Sequence, residues 1–149
     1  MFTSGSWKKS SSGEGSDVIN PATGEVITTV PKANLDDVNA CIQSSREAFQ
    51  SKEWASIDPA QRGRILQKMA TSTYANAKML AEIESTNNGK TFREALSEIR
   101  YGAWTLEYFA GLSDKIEGKT IPVPGNRLNY TLRQPLGVTA HIIPWNFPL

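Results

Sequence analysis

Eight residues near the end of the chain, Leu136-Gly137-Val138-Thr139-Ala140-His141-Ile142-Ile143, are mostly apolar and lead directly into Pro144-Trp145-Asn146-Phe147-Pro148-Leu149. A short apolar run bounded by prolines reads as a strand covered on both faces. Strands of that kind belong to parallel sheets, whose neighbours are joined by long crossover connections, usually helical. Nothing follows this one within the 149 residues. The expectation is an unfinished α/β architecture whose missing part lies C-terminal.

Upstream, the residue pattern supplies helices. Leu35, Val38, Ile42 and Phe49 recur at helical spacing behind Asn34 as N-cap, with Asp36 and Asp37 in the first turn. Asp58 followed by Pro59 marks a second start, and one helix is expected from there through Ile65, Leu66, Met69, Tyr74, Met79, Leu80 and Ile83 to Asn87-Asn88-Gly89. A third helix is expected from about Thr91 through Leu96, Ile99, Ala103, Leu106 and Phe109, ending at Gly111. Ahead of these, Asn20-Pro21 and Thr23-Gly24 separate two β-branched runs, the signature of a turn between short strands. Residues 3–16 are dominated by Ser and Gly with Trp7 as their one bulky apolar residue, and 1–16 read as a mobile leader pinned at Trp7. Toward the other end, Arg127-Leu128-Asn129-Tyr130-Thr131-Leu132-Arg133 alternates at period two, as a half-exposed strand does.

Several function classes fall away on composition. Lys and Arg number 16 against 15 Asp and Glu, a net charge of +1, so no global field recruits nucleic acid or an anionic membrane. No segment approaches the ~20 apolar residues of a spanning helix, and residues 1–16 lack the apolar stretch of a secretory signal. One cysteine and one histidine cannot by themselves build a four-ligand zinc cage, and no metal site is expected. The default compartment is the reducing cytoplasm.

The single candidates for chemistry read mostly as structure. Cys41 lies in a helical run beside Val38 and Ile42 with no local activator, and is expected to pack as a small hydrophobe. His141 has no serine or second ligand in a recognisable arrangement, and is expected to be packed or hydrogen-bonded. Glu82 with Glu84, and Glu94 with Glu98, are expected on solvated helix faces. There is no Gly-x-Gly-x-x-Gly and no Gly-x-x-x-x-Gly-Lys-Ser/Thr, so no phosphate cradle. The exception is the terminal hexapeptide. Pro144 fixes one φ, Pro148 biases Phe147 to extended geometry, and Asn146 is held between them at the C-terminal end of a strand, where open α/β sheets bind ligands. On these residues alone, a structural turn with buried aromatics is the favoured account. An Asn amide there is also a neutral donor suited to a developing oxyanion.

These stretches together resemble a known family. Gln134-Pro135-Leu136-Gly137-Val138 with Pro144-Trp145-Asn146-Phe147-Pro148-Leu149 is similar to the NAD(P)-dependent aldehyde dehydrogenase superfamily. So, in order, are Asn20-Pro21-Ala22-Thr23-Gly24-Glu25, Arg46-Glu47-Ala48-Phe49, Pro59-Ala60-Gln61-Arg62, Asn88-Gly89-Lys90 and Tyr108-Phe109-Ala110-Gly111 with Asp114-Lys115-Ile116-Glu117-Gly118. The resemblance implies an α/β fold: the N-terminal helical portion of a Rossmann-like cofactor-binding domain plus an oligomerisation strand, incomplete as a chain. It divides the sequence into a leader (1–16), the strands and helices of the NAD(P)-binding domain (17–126), an oligomerisation-type strand (127–135), and the first strand of the Rossmann-like sheet with an active-site loop (136–149).

Carried over by residue, the resemblance makes Asn146 the side-chain half of the oxyanion hole. It places Ile143, Pro144, Trp145 and Asn146 along the nicotinamide cofactor, NAD or NADP, and Phe147 near the substrate tunnel. It implies a small-molecule aldehyde as substrate and a homo-oligomer, dimer or tetramer, as the assembly. The family's nucleophilic cysteine and water-activating glutamate have no match in this chain, and Cys41 does not correspond to either. One departure is Asn87, where many members carry an aspartate that, with backbone near Val18 and Ile19, helps hold a monovalent cation in some relatives. Two alternatives stay open on sequence: a CoA-acylating or semialdehyde-specific relative, and a short noncatalytic partner or inhibitor of a full-length subunit.

Overall fold

The computed structural model describes residues 1–149. Strands β1 (Phe2–Thr3) and β2 (Ser6–Trp7) pair antiparallel around Ser4 and Gly5, both at positive φ as a tight two-residue hairpin turn requires. The Ser- and Gly-rich stretch expected as a mobile leader thus carries local structure. Its serines act as ligands for a helix end: the Ser10 hydroxyl donates to Asp37 Oδ2 at 2.7 Å and the Ser11 amide to Asp37 Oδ1 at 3.0 Å. Trp7 does not anchor it in a core, but meets Phe2 edge to face and stays exposed.

The two β-branched runs form β3 (Gly15–Ile19) and β4 (Val26–Pro31), an antiparallel hairpin turned by Asn20 to Glu25. Asn20 Oδ1 accepts from the Ala22 amide at 2.9 Å, the local turn bond that Asn-Pro favours. Helix α1 (Leu35–Gln50) starts at Asn34 with a reciprocal capping box to Asp37. A one-turn helix α2 (Lys52–Ala55), absent from the sequence-based expectation, is capped by Ser51.

The long helix expected from Pro59 is two helices, α3 (Pro59–Ala75) and α4 (Ala77–Asn88), broken at Asn76. Asn76 Nδ2 donates back to the Ser72 carbonyl at 2.8 Å, competing with the helical ladder, and its φ of −103° leaves the α region. Asp58 caps α3 as expected, and Gly89 ends α4 in the left-handed region at φ 81°. Helix α5 (Phe92–Leu112) is capped by Thr91 and runs through Gly111, one residue past its expected stop.

Packing is confined to α3, α4 and α5. Ala77, Ala81, Ala95 and Ile99 form the buried centre, with Leu80 and Leu96 against it, and Ala70 and Ala103 are also buried. Small side chains let the helix axes approach closely. At Gly63 the approach is limiting, since a Cβ there would stand 2.7 Å from the Ala110 carbonyl oxygen.

Neither expected C-terminal strand forms a regular strand. Residues 119–121 pair with 129–131 through one antiparallel bridge and two backbone hydrogen bonds, Ile121 N to Asn129 O at 2.8 Å and Thr131 N to Lys119 O at 2.9 Å. From Leu136 to Ile143 there is no ladder, and Leu136 and Ile142 are 94% and 99% exposed. A strand is defined by its neighbours, and none lies beside these residues.

Candidate functional site

Two prolines and one backbone hydrogen bond shape the terminal loop. Phe147 N donates to the Pro144 carbonyl at 3.1 Å, closing a turn over Trp145 and Asn146. Ile143 and Trp145 project outward, 58% and 76% exposed, and Asn146 is half-buried. The Asn146 backbone carbonyl is occupied, while its side-chain amide has no partner within the chain.

What occupies that carbonyl is Lys90, 56 residues earlier, whose ammonium donates to Asn146 O at 2.7 Å. The same Nζ lies 4.5 Å from the centroid of the Phe147 ring, within cation–π range. On its other side it meets two carboxylates, Glu84 Oε1 at 2.8 Å and Glu98 Oε2. The Glu84 contact is one of charge without hydrogen-bond alignment. Lys90 and Glu84 are 15% and 5% exposed, so this ion pair stands largely out of water. Desolvation lowers the Lys90 pKa, but the carboxylates of Glu84 and Glu98 outweigh it and raise the group above the ordinary lysine value. The residue is therefore an ammonium at every physiological pH.

Lys90 is itself fixed at both backbone ends. Its amide donates to Asn88 Oδ1 at 3.0 Å, and its carbonyl accepts from the Ser85 hydroxyl at 2.7 Å. Gly89 makes the turn possible, because its φ of 81° suits glycine and a Cβ there would press to 2.9 Å from Pro21 Cγ.

The structure gathers Ile143, Pro144, Trp145, Asn146 and Phe147 in one turn. Glu84 departs from expectation, being buried rather than on a solvated face, and it meets the partly exposed Glu98 through Lys90. The signal was present in α4, where Glu84 and Asn88 continue the spacing of the buried Ala77 and Ala81. A carboxylate on a buried helix face calls for a cation. Cys41, expected to pack, is exposed, because α1 buries no residue in this chain. His141 is hydrogen-bonded, its Nε2 lying 3.0 Å from the Thr139 hydroxyl. No group of three or more His, Cys, Asp or Glu is arranged to hold a metal ion. A hollow of about 470 Å³ between the end of α1 and α2 is lined by Phe49, Trp54 and Ile57, and none of residues 143–147 borders it.

Residues 7–149 match the model of the aldehyde dehydrogenase family. The chain is 41% identical over 149 residues to hydroxyisobutyraldehyde dehydrogenase of Mycolicibacterium austroafricanum, covering 100% of this chain and 29% of that one. Its backbone superposes on an aldehyde dehydrogenase variant from Bacillus cereus with TM-score 0.95 and 37% identity, over 99% of this chain and 30% of the other. The crystal structure of PnpE in complex with nicotinamide adenine dinucleotide gives TM-score 0.92 and 36% identity, over 99% and 30%. The chain thus spans less than a third of the length of the relatives it matches.

Proposed function

The chain belongs to the aldehyde dehydrogenase family, and from that premise we propose that it is the N-terminal segment of an enzyme that oxidises a small aldehyde to a carboxylic acid with NAD or NADP. The observation that carries this reading is the 144–148 turn. Its backbone is fixed by two prolines and by Lys90, and its one polar side chain, Asn146, keeps a free amide.

In that reaction a thiolate adds to the aldehyde carbonyl and the oxygen gains negative charge. Asn146 Nδ2–H is the donor for that oxygen, and its rigid mounting matters because preorganised donors lose nothing in reorienting as charge develops. Ile143 and Trp145 offer exposed apolar side chains on either side of Pro144, surfaces that suit the flat nicotinamide end of the cofactor. Bound cofactor supplies the hydride acceptor. No residue of 1–149 forms a phosphate cradle, so the remainder of the cofactor falls to residues outside this chain. The same holds for the thiolate, since Cys41 sits on α1, away from the loop in sequence and matched to no catalytic position. Phe147 borders the substrate side.

The alternating residues Leu128, Tyr130 and Leu132, all exposed, fit a strand completed by another subunit, and a homo-oligomer in the cytoplasm is the assembly we assign. No helix is long and apolar enough to cross a membrane. The test is Asn146→Ala in the full-length enzyme. Loss of one oxyanion donor lowers kcat by about 10²-fold or more with cofactor affinity little changed. Wild-type turnover would remove Asn146 from the mechanism. The 149-residue chain alone forms no NADH from any aldehyde, because no matched thiol is present to open the reaction. Thiol-reagent-sensitive turnover by the purified chain would contradict this.

A further inference from the structure

We infer that Lys90 is a positioning residue for the oxyanion donor: by holding the Asn146 carbonyl and the Phe147 ring from one ammonium, it sets where the Asn146 side chain points. The inference rests on the role of Asn146 proposed above.

The geometry leaves the Asn146 backbone few other constraints. Pro144 fixes φ at one end of the turn and Pro148 restricts Phe147 at the other. Between them the planar Asn146–Phe147 peptide can turn only as a unit, and the Phe147 N–H to Pro144 O bond holds it from one edge. The carbonyl side is restrained by the 2.7 Å bond from Lys90. Turning that carbonyl changes ψ of Asn146 and so redirects its Cα–Cβ bond relative to the rest of the loop.

The ammonium can serve as a fixed point because it is itself held. Two carboxylates face it, Glu84 from α4 and Glu98 from α5, against one positive charge. Its backbone is tied to Asn88 and Ser85. The loop is thereby referenced to the α4–α5 corner, inside the packed part of the chain, rather than to its own extended flanks. The two carboxylates hold the ammonium independently of the loop, which offers it only neutral partners, the Asn146 carbonyl and the Phe147 ring. An oxyanion donor displaced by about 1 Å forfeits much of its effect, so a device of this kind bears on rate more than on binding.

The experiment is a double-mutant cycle in the full-length enzyme with Lys90→Arg and Asn146→Ala. Arginine keeps the charge between Glu84 and Glu98 but carries it on a longer planar fork that cannot take the same place at the Asn146 carbonyl. We expect kcat to fall about 10-fold in Lys90→Arg with KM for aldehyde and cofactor within about twofold. In an Asn146→Ala background the same change should have no further effect on kcat, since the donor it positions is gone. A Lys90→Arg loss of equal size in both backgrounds would overturn the inference and assign Lys90 to general folding. If Lys90→Arg does not fold, the charge-balanced pair Lys90→Met with Glu84→Gln replaces it in the same cycle, with the same two outcomes. Wild-type kcat in Asn146→Ala alone defeats the proposed oxyanion role and this inference with it, whereas an impaired Asn146→Ala with additive Lys90 losses defeats only the inference.

Discussion

At the scale of single residues, the most strongly perturbed titrating group is Asp37. The Ser10 hydroxyl is the largest cause, and with the backbone amides of Asn34 and Ser11 it outweighs desolvation of the carboxylate and lowers its pKa to about 2. A carboxyl whose folded pKa lies below its unfolded value favours the folded state above the unfolded pKa of 3.8, and that contribution disappears as pH falls through about 2. Carboxyl-carbon NMR of Asp37 should give a midpoint near the lower value, and Ser10→Ala should move it up toward 3.8. An unmoved midpoint would mean that the serine bond is not the cause. Asp37 was legible as a first-turn acid, whereas Ser10 was not, because a ligand 27 positions away has no periodic signature. Lys90 escaped for the same reason. Its partners come from α4, α5 and the terminal loop, and no local pattern unites them, although the turn it serves stood out from its prolines alone.

Among the elements, the starts of α1, α3 and α5 were readable at Asn34, Asp58-Pro59 and Thr91, since caps are chemistry between near neighbours. The break at Asn76 was less so, because the apolar stripe continues across it and only the back-bond to Ser72 shows the interruption. The 127–133 and 136–143 segments were read as strands from pattern, but the first meets residues 119–121 in only a single bridge and the second pairs with no segment, so neither builds a ladder. Helix contacts yield a sharper expectation. Gly63→Ala drives a methyl to 2.7 Å from the Ala110 carbonyl oxygen, forcing α3 off α5. The cost should be about 1–3 kcal/mol, as for other overpacked contacts, seen as a lower denaturant midpoint at constant slope. Gly111→Ala, with nothing within 4 Å of its Cβ, is the matched control and should stabilise slightly if it changes stability at all. Equal behaviour of the two would show that α3 and α5 do not approach as closely as described.

For the whole molecule, surface area decides the behaviour. The chain exposes 11771 Å², against roughly 7,500 Å² for a compact monomer of its mass. Much of the excess is apolar, on the outer faces of α1, on the Tyr101, Trp104 and Tyr108 stripe of α5, and from Leu128 to Leu149. With a net charge of +1 there is little repulsion to keep such surfaces apart. The 149-residue chain in isolation should self-associate, retain its helical circular dichroism and melt broadly. A sharp monomer peak by size-exclusion chromatography with light scattering, and a cooperative transition, would contradict this. One contact also imposes an order in time. The ammonium-to-carbonyl bond between Lys90 and Asn146 closes a span of 56 residues, while α4 meets α5 across a turn of three residues between Asn88 and Phe92. Short closures precede long ones because less chain entropy is lost before contacts are gained. The receptor corner is therefore built before the loop arrives. The loop, resting on one hydrogen bond and one ring contact, is the first part to leave when the molecule breathes, so its amides should exchange hydrogen with solvent long before those of the helices beneath it.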